Sequence, residues 1–168
     1  MLLYHGSNLD IKTINLSMCR PYKDFGTGYY LTDLQEQAVN MAKRVSRIHG
    51  GTPIINIYEI EDCFLERSDL NIRNFGSCVS REWAAFVMNN RNRTFTEYQS
   101  LECNLDNKYD IVAGPVADDN MAMLFRQFQN GFIDFDALTK GMTYKKLTSQ
   151  YSFHTPKALS LLRKVGIL

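Results

Sequence analysis

Six apolar positions, Leu34, Ala38, Met41, Ala42, Val45 and Ile48, recur at helical spacing and stop at Gly50-Gly51. One stripe along about four helical turns therefore has to be buried against something. Thr32 followed three residues later by Gln35 has the form of a capping box, and the glycine pair is the expected stop. The flanking segments are of another kind: Tyr29-Tyr30-Leu31 before the helix and Pro53 to Ile60 after it are rich in aromatic and β-branched residues and read as short strands. A helix set between such strands excludes an all-α bundle and an all-β sandwich.

The rest of the chain mixes the two patterns irregularly. Leu2 to His5 reads as a strand closed by the turn cluster Gly6-Ser7-Asn8, which leaves His5 at a strand end. Residues 9 to 23 have no clean period. Val79, Trp83, Phe86 and Val87 return to helical spacing behind Ser77 or Ser80 as cap, with Trp83 and Phe86 expected in the core. Asn90-Arg91-Asn92-Arg93 then reads as a solvated turn opening a polar connector to Asn107. Tyr109 to Ala113 reads as a strand ended by Gly114-Pro115. Asp118-Asp119 open a helix carrying Met121, Leu124, Phe125 and Phe128, the two acids suiting its positive end. Residues 134 to 147 predict one or two short helices interrupted at Gly141, and Tyr151-Ser152-Phe153 a strand. Thr155-Pro156 predicts a last helix running through Leu159, Leu162 and Val165. With no repeat and no composition break, residues 1–168 read as a single α+β domain, not a doubly wound parallel sheet.

Charge and ligand spacing narrow the chemistry. Nineteen Lys plus Arg against eighteen Asp plus Glu give a formal charge of +1, without the excess that sequence-independent phosphate binding leaves in a composition. None of His5, His49 and His154 lies within four residues of another histidine or of a cysteine, and Cys19, Cys63, Cys78 and Cys103 form no C-x-x-C pair, so no local metal-ligand spacing exists and a metal-free protein is expected. The N-terminus lacks a signal-peptide pattern, and no apolar run approaches the roughly 18 residues of a membrane span. The expectation is a cytoplasmic protein without membrane contact, its thiols reduced and its cysteines mostly small buried hydrophobes.

Four blocks carry the functional reading: Leu3-Tyr4-His5-Gly6-Ser7, Gly26-Thr27-Gly28-Tyr29-Tyr30-Leu31-Thr32, Tyr109-Asp110-Ile111-Val112-Ala113-Gly114-Pro115-Val116-Ala117-Asp118-Asp119, and Gln150-Tyr151-Ser152-Phe153-His154-Thr155. In this order they resemble a bacterial family of uncharacterised function within the ADP-ribosyltransferase-like superfamily. The resemblance implies a split β-sandwich with peripheral helices and an NAD cleft between two small sheets. It implies NAD as substrate, no metal, cleavage of the nicotinamide–ribose bond, and transfer of ADP-ribose to an unknown acceptor. A protein acceptor is expected ahead of nucleic acid, and a toxin or defence role, with an inhibitor protein as further partner, fits the family style.

The same resemblance assigns a His-Tyr-Gln triad, His5, Tyr30 and Gln150, with Gln150 at a position that is Glu in the best-known members. His5 would bond a ribose, the backbone of Gly6 would hold the nicotinamide amide, and Tyr30 would stack on the pyridine ring. Ser7, Gly28 and Thr32 complete the cofactor-binding set, and Asp118, Asp119 and Arg91 are additional candidates, Arg91 for a diphosphate or acidic acceptor.

The residue types suit these roles. An imidazole offers one donor and one acceptor to a ribose hydroxyl, and a phenol ring offers a π-face to a cationic pyridine. Glycines at 26 and 28 allow a backbone approach that a β-carbon would obstruct. Breaking an N-glycosidic bond builds positive charge on the sugar, so a nearby carboxylate is expected. An amide at 150 forfeits roughly 1–2 kcal/mol against a charged partner. Asp118, Asp119 or Glu82 would compensate if folded into the site, and faster NAD cleavage by Gln150→Glu would show that the neutral amide limits the chemistry. The alternative function is a catalytically weak or inactive NAD-binding or protein-interaction module. The RNA 2′-phosphotransferase branch of the same fold is disfavoured by the absence of basic residues near His5 and by the net charge.

Overall fold

The computed structural model describes residues 1–117, 119–143 and 148–168. Among these residues the mixed α+β architecture has two sheets and five α-helices. β1 (Leu2–Ser7), β2 (Tyr29–Leu31), α1 (Gln35–His49), β3 (Ile54–Glu59), β4 (Ile72–Asn74) and α2 (Arg81–Arg91) come first, and β5 (Ile111–Pro115), α3 (Asp119–Gln129), α4 (Phe135–Thr143), β6 (Ser149–Phe153), α5 (Pro156–Leu159) and β7 (Arg163–Ile167) complete the order. One sheet is antiparallel in the order β1-β3-β7. The other runs β2-β6-β5-β4, with only β4 and β5 parallel. A single pair of backbone bonds, Tyr4 with Thr32, joins them through β1 and β2.

Side-chain alternation explains the layers. Leu3, Tyr29, Leu31, Tyr58, Ile111 and Phe153 point to one common face and fill the core between the sheets. The opposite face of the four-stranded sheet, marked by Val112 and the half-buried Tyr30, is covered by α2, α3 and α4 through Trp83, Phe86, Met121, Phe125 and Leu138. On the outer side of β1 and β3, Ala38 and Ala42 of α1 pack on Ile55 and Tyr4. Gly6 makes that packing possible: a β-carbon there would stand 2.1 Å from the Ala38 carbonyl oxygen in α1.

Several expectations are corrected by packing. Thr32 does not cap α1. The cap is Leu34 with no side-chain bond, because the Thr32 hydroxyl is turned to the Gln37 side chain and the Ser149 carbonyl. Gly141 does not interrupt α4. It lies against α3, where a β-carbon would meet Leu124 Cδ1 at 2.9 Å, so it lets the two helices approach; residues 144–147 lie outside the described set. The helix after Thr155 ends at Leu159, and Arg163–Ile167 pairs with β3 as a strand instead. β4, unread in the sequence, gains its place by pairing with β5. Asn90 to Arg93 is no solvated turn: Asn90 is buried and Arg91 closes α2. The four cysteines are free; only Cys103 is buried, with Cys63 and Cys78 exposed, because both stand in surface loops. Among the described residues no helix is long and apolar enough to cross a membrane.

Candidate functional site

The two sheets part immediately after the Tyr4–Thr32 bridge, and His5 stands at the parting. Tyr4 directs its N–H and C=O towards β2, bonding Thr32 at 2.8 and 3.0 Å. Alternate strand residues repeat that direction, so Gly6 also turns its backbone groups towards β2. No backbone partner from β2 meets them. The Tyr30 carbonyl, which would have been the natural acceptor, takes the His5 Nδ1–H at 2.8 Å instead. With Nδ1 as donor, the neutral ring keeps Nε2 as an acceptor, and that atom has no protein partner and is not sealed from solvent. Burial, only partly opposed by the Tyr30 carbonyl, lowers the His5 pKa and favours this neutral form. The imidazole is held flat against Tyr29, ring centroids 4.4 Å apart, and the Tyr29 hydroxyl is in turn 3.0 Å from that of Tyr58.

Tyr30 is the hinge between this parting and a second cluster. Its hydroxyl donates to the Gly26 carbonyl at 2.8 Å and accepts from the Phe25 N–H at 2.9 Å, which fixes the partly buried ring between Phe25 and His154. One residue before Phe25 lies the carboxylate that the sequence did not reveal. Asp24 is buried and accepts four hydrogen bonds: from Arg91 Nε at 2.9 Å and Nη2 at 2.6 Å, from the Ala117 N–H at 3.1 Å, and from Gln150 Nε2 at 2.8 Å. Arg91 also donates to the Ala117 carbonyl.

Gln150 is held by the same cluster. Its Nε2 donates to Asp24 and lies 3.2 Å from the Pro115 carbonyl oxygen; two acceptors on one side fix the amide orientation. Oε1 is left without a protein partner and is not sealed from solvent. The side chain thus presents an acceptor outward and spends its donors inward. A glutamate here would set a second carboxylate against Asp24 and the Pro115 carbonyl, which is a physical reason for the amide at this position.

The remaining candidates serve the frame. Ser7, buried at the end of β1, accepts from the Leu9 N–H. The Thr32 hydroxyl accepts from the Leu34 N–H besides its bonds to Gln37 and Ser149. Gly28 makes room for a ring: a β-carbon there would sit 2.6 Å from Nδ1 of His154. Gly26 has φ +91° and faces the Asn104 carbonyl, a conformation and a space that only glycine tolerates. Of the acids proposed to compensate for Gln150, Glu82 pairs with Arg73 at the surface. Asp119 opens α3, and Asp118 lies outside the described residues. The acid beside Gln150 is Asp24, more than a hundred residues away in sequence, a contact with no local signal.

Ser152 and His154 also form a pair, Oγ to Nε2 at 2.7 Å, with Nδ1–H donating to the Thr27 carbonyl. Both are buried, and burial lowers His154 to about 4, so the pair is a neutral internal strut without access to a substrate. Among the described residues no group of three His, Cys, Asp or Glu is placed to hold a metal ion.

Comparison with known proteins adds one result. The profile of the family described as "Protein of unknown function (DUF3990)" matches residues 1–163. The chain belongs to the DUF3990 family. No curated protein and no solved structure matches it. For DUF3990 this leaves the geometry around His5, Tyr30, Gln150 and Asp24 to speak for the chemistry.

Proposed function

We propose that this DUF3990 protein is an NAD-dependent mono-ADP-ribosyltransferase-like enzyme. The observation that carries the reading is the parting of β1 and β2. There a neutral His5, pinned through Nδ1, offers Nε2, and Gly6 directs an unpaired N–H and C=O to the same side. A carboxamide needs one acceptor and one donor in line, which the Gly6 backbone supplies, and a ribose hydroxyl needs an acceptor, which Nε2 supplies. The partly buried ring of Tyr30 is the surface assigned to the pyridinium ring.

In the proposed reaction the bond from the ribose carbon to the nicotinamide nitrogen breaks with its electron pair going to the nitrogen. Nicotinamide leaves neutral, and the ribose carbon takes a lone pair from the acceptor nucleophile, which gives up its proton to solvent. Positive charge grows on the sugar as the bond breaks. Gln150 Oε1 meets it as the negative end of a fixed amide dipole and accepts from a ribose hydroxyl, while Asp24 orients that amide from behind. Asp24 is a positioning residue in this reading, its charge largely offset by Arg91.

That offset favours the second reading, an NAD-binding module with little or no turnover, since the carboxylate nearest Gln150 is already paired. Incubation with nicotinamide-labelled NAD, with and without cell lysate, separates the two. Wild type is expected to release nicotinamide, and His5→Ala and Gln150→Ala, checked for unchanged thermal unfolding, are expected to lower kcat/KM by about tenfold or more. NAD binding without release in every condition leaves the module reading; no binding at all refutes both.

A further inference from the structure

Among the described residues four of the ten arginines have carboxylate partners: Arg67 with Asp69, Arg73 with Glu82, Arg91 with Asp24 and Arg163 with Glu59. In one place three arginines gather around a single hollow. Between the last turn of α2 and the outer side of α3 lies a cavity of about 420 Å³ lined by Arg91, Arg93 and Arg126, by the amides of Asn92 and Gln129, and by Phe125. No carboxylate lines it. Arg93 lies over the Tyr22 ring at 5.4 Å, and Arg126 makes one long bond, Nε to the Ala122 carbonyl at 3.4 Å. Among the described residues neither has an acidic partner. Arg91 is anchored to Asp24 through Nε and Nη2, which leaves Nη1 without a protein partner.

Three guanidiniums around one hollow repel each other, and the C-terminal half-charge of α2 only partly offsets this. The arrangement is complementary to a multiply charged anion, and planar guanidinium forks suit phosphate oxygens best. Phe125 supplies an apolar floor, and the volume falls in the usual small-ligand range of about 300–1,000 Å³. The positive region continues past Arg91: Lys23 is held below the ordinary lysine range, first by burial and then by Arg20, with Arg91 and Arg44 adding to the effect against Asp24.

We propose that this cavity is a binding site for a small phosphate-bearing molecule, separate from the parting at His5. None of His5, Gly6, Tyr30 and Gln150 lines it, although Tyr30 packs against the same helical-face core as Phe125. Arg91 is the one residue common to it and to the cluster that holds Gln150. An anion drawing on Arg91 would loosen its hold on Asp24, so occupancy bears directly on the charge beside Gln150.

Pyrophosphate is the probe, titrated by calorimetry at constant ionic strength against chloride and sulfate. Saturable one-to-one binding is expected. Arg93→Gln and Arg126→Gln, neither of which touches the Asp24 cluster, should each weaken it by about tenfold and the double variant abolish it. His5→Ala should bind pyrophosphate like wild type, which keeps this result independent of the NAD reading. The proposal is overturned by no binding beyond sulfate, by undiminished binding in the double variant, or by loss of binding in His5→Ala.

Discussion

Replacing Asp24 by alanine removes the acceptor of four hydrogen bonds at once. Breaking a buried ion pair typically costs about 3–5 kcal/mol. The Arg91 side chain keeps 30% of its exposure and can regain water, so this part belongs at or below the lower end, roughly 2–3 kcal/mol. The Ala117 N–H and the Gln150 amide lose an acceptor in a buried setting, adding about 1 kcal/mol between them. The total is roughly 3–4 kcal/mol, which for a chain of this size lowers Tm by about 10 °C. Asp24→Asn keeps the shape, loses the charge and should cost about 2 kcal/mol. Urea unfolding of Asp24→Asn, Arg91→Met and the double variant forms a cycle in which a coupling of at least about 1 kcal/mol is expected. Asp24→Ala within about 0.5 kcal/mol of wild type, or additive single variants, would refute the role given to this cluster.

Two further outcomes follow from the same geometry. Gln150→Glu, which chemistry alone would favour, should slow NAD cleavage and destabilise the fold near neutral pH by about 1–3 kcal/mol, because two carboxyl groups would then compete at 2.8 Å; the deficit should shrink on acidification, and an activated, fully stable variant would contradict this. His154, held at about 4 against 6.5 by burial, and His5, lowered by the same cause, bind protons in the unfolded chain before the folded one. Stability is therefore full above about pH 6.5 and is lost as pH falls towards 4, with a slope of up to about 1.4 kcal/mol per pH unit for each histidine. Urea midpoints across that interval check it, and a flat profile would refute it.

The sequence made the fold legible where local signals and burial agree. The helix Gln35–His49 could be read from its spacing, although only Ala38 and Ala42 of the expected stripe are buried while Leu34, Met41 and Ile48 stay exposed; the Ser80 cap with Trp83 behind it and the run at Ile111 needed no distant partner to be read. The errors lie where tertiary pairing decides. Arg163–Ile167 has helix-compatible spacing but finds an open edge on β3, and Ile72–Asn74 is a strand only because β5 runs beside it. The site divides in the same way. His5 and Gln150 could be singled out because short blocks surround them. Asp24 could not, because its significance rests on Arg91, Ala117 and Gln150, brought in by α2, the end of β5 and β6. The spacing at Gly26 and Gly28 suggests openings for a ligand, while in the structure Gly26 faces the Asn104 carbonyl and Gly28 the His154 ring. A missing β-carbon signals close approach without saying what approaches.

The central claim is that NAD enters the parting of β1 and β2 at His5 and Gly6. Titration of isotope-labelled protein with NAD, followed by nuclear magnetic resonance, tests it most directly. Saturable shifts of the His5 ring protons and the Gly6 amide, undiminished in the Arg93→Gln/Arg126→Gln double variant, are the predicted result. Absence of any shift at His5 and Gly6 under saturating NAD, or shifts confined to the arginine cavity, would contradict it.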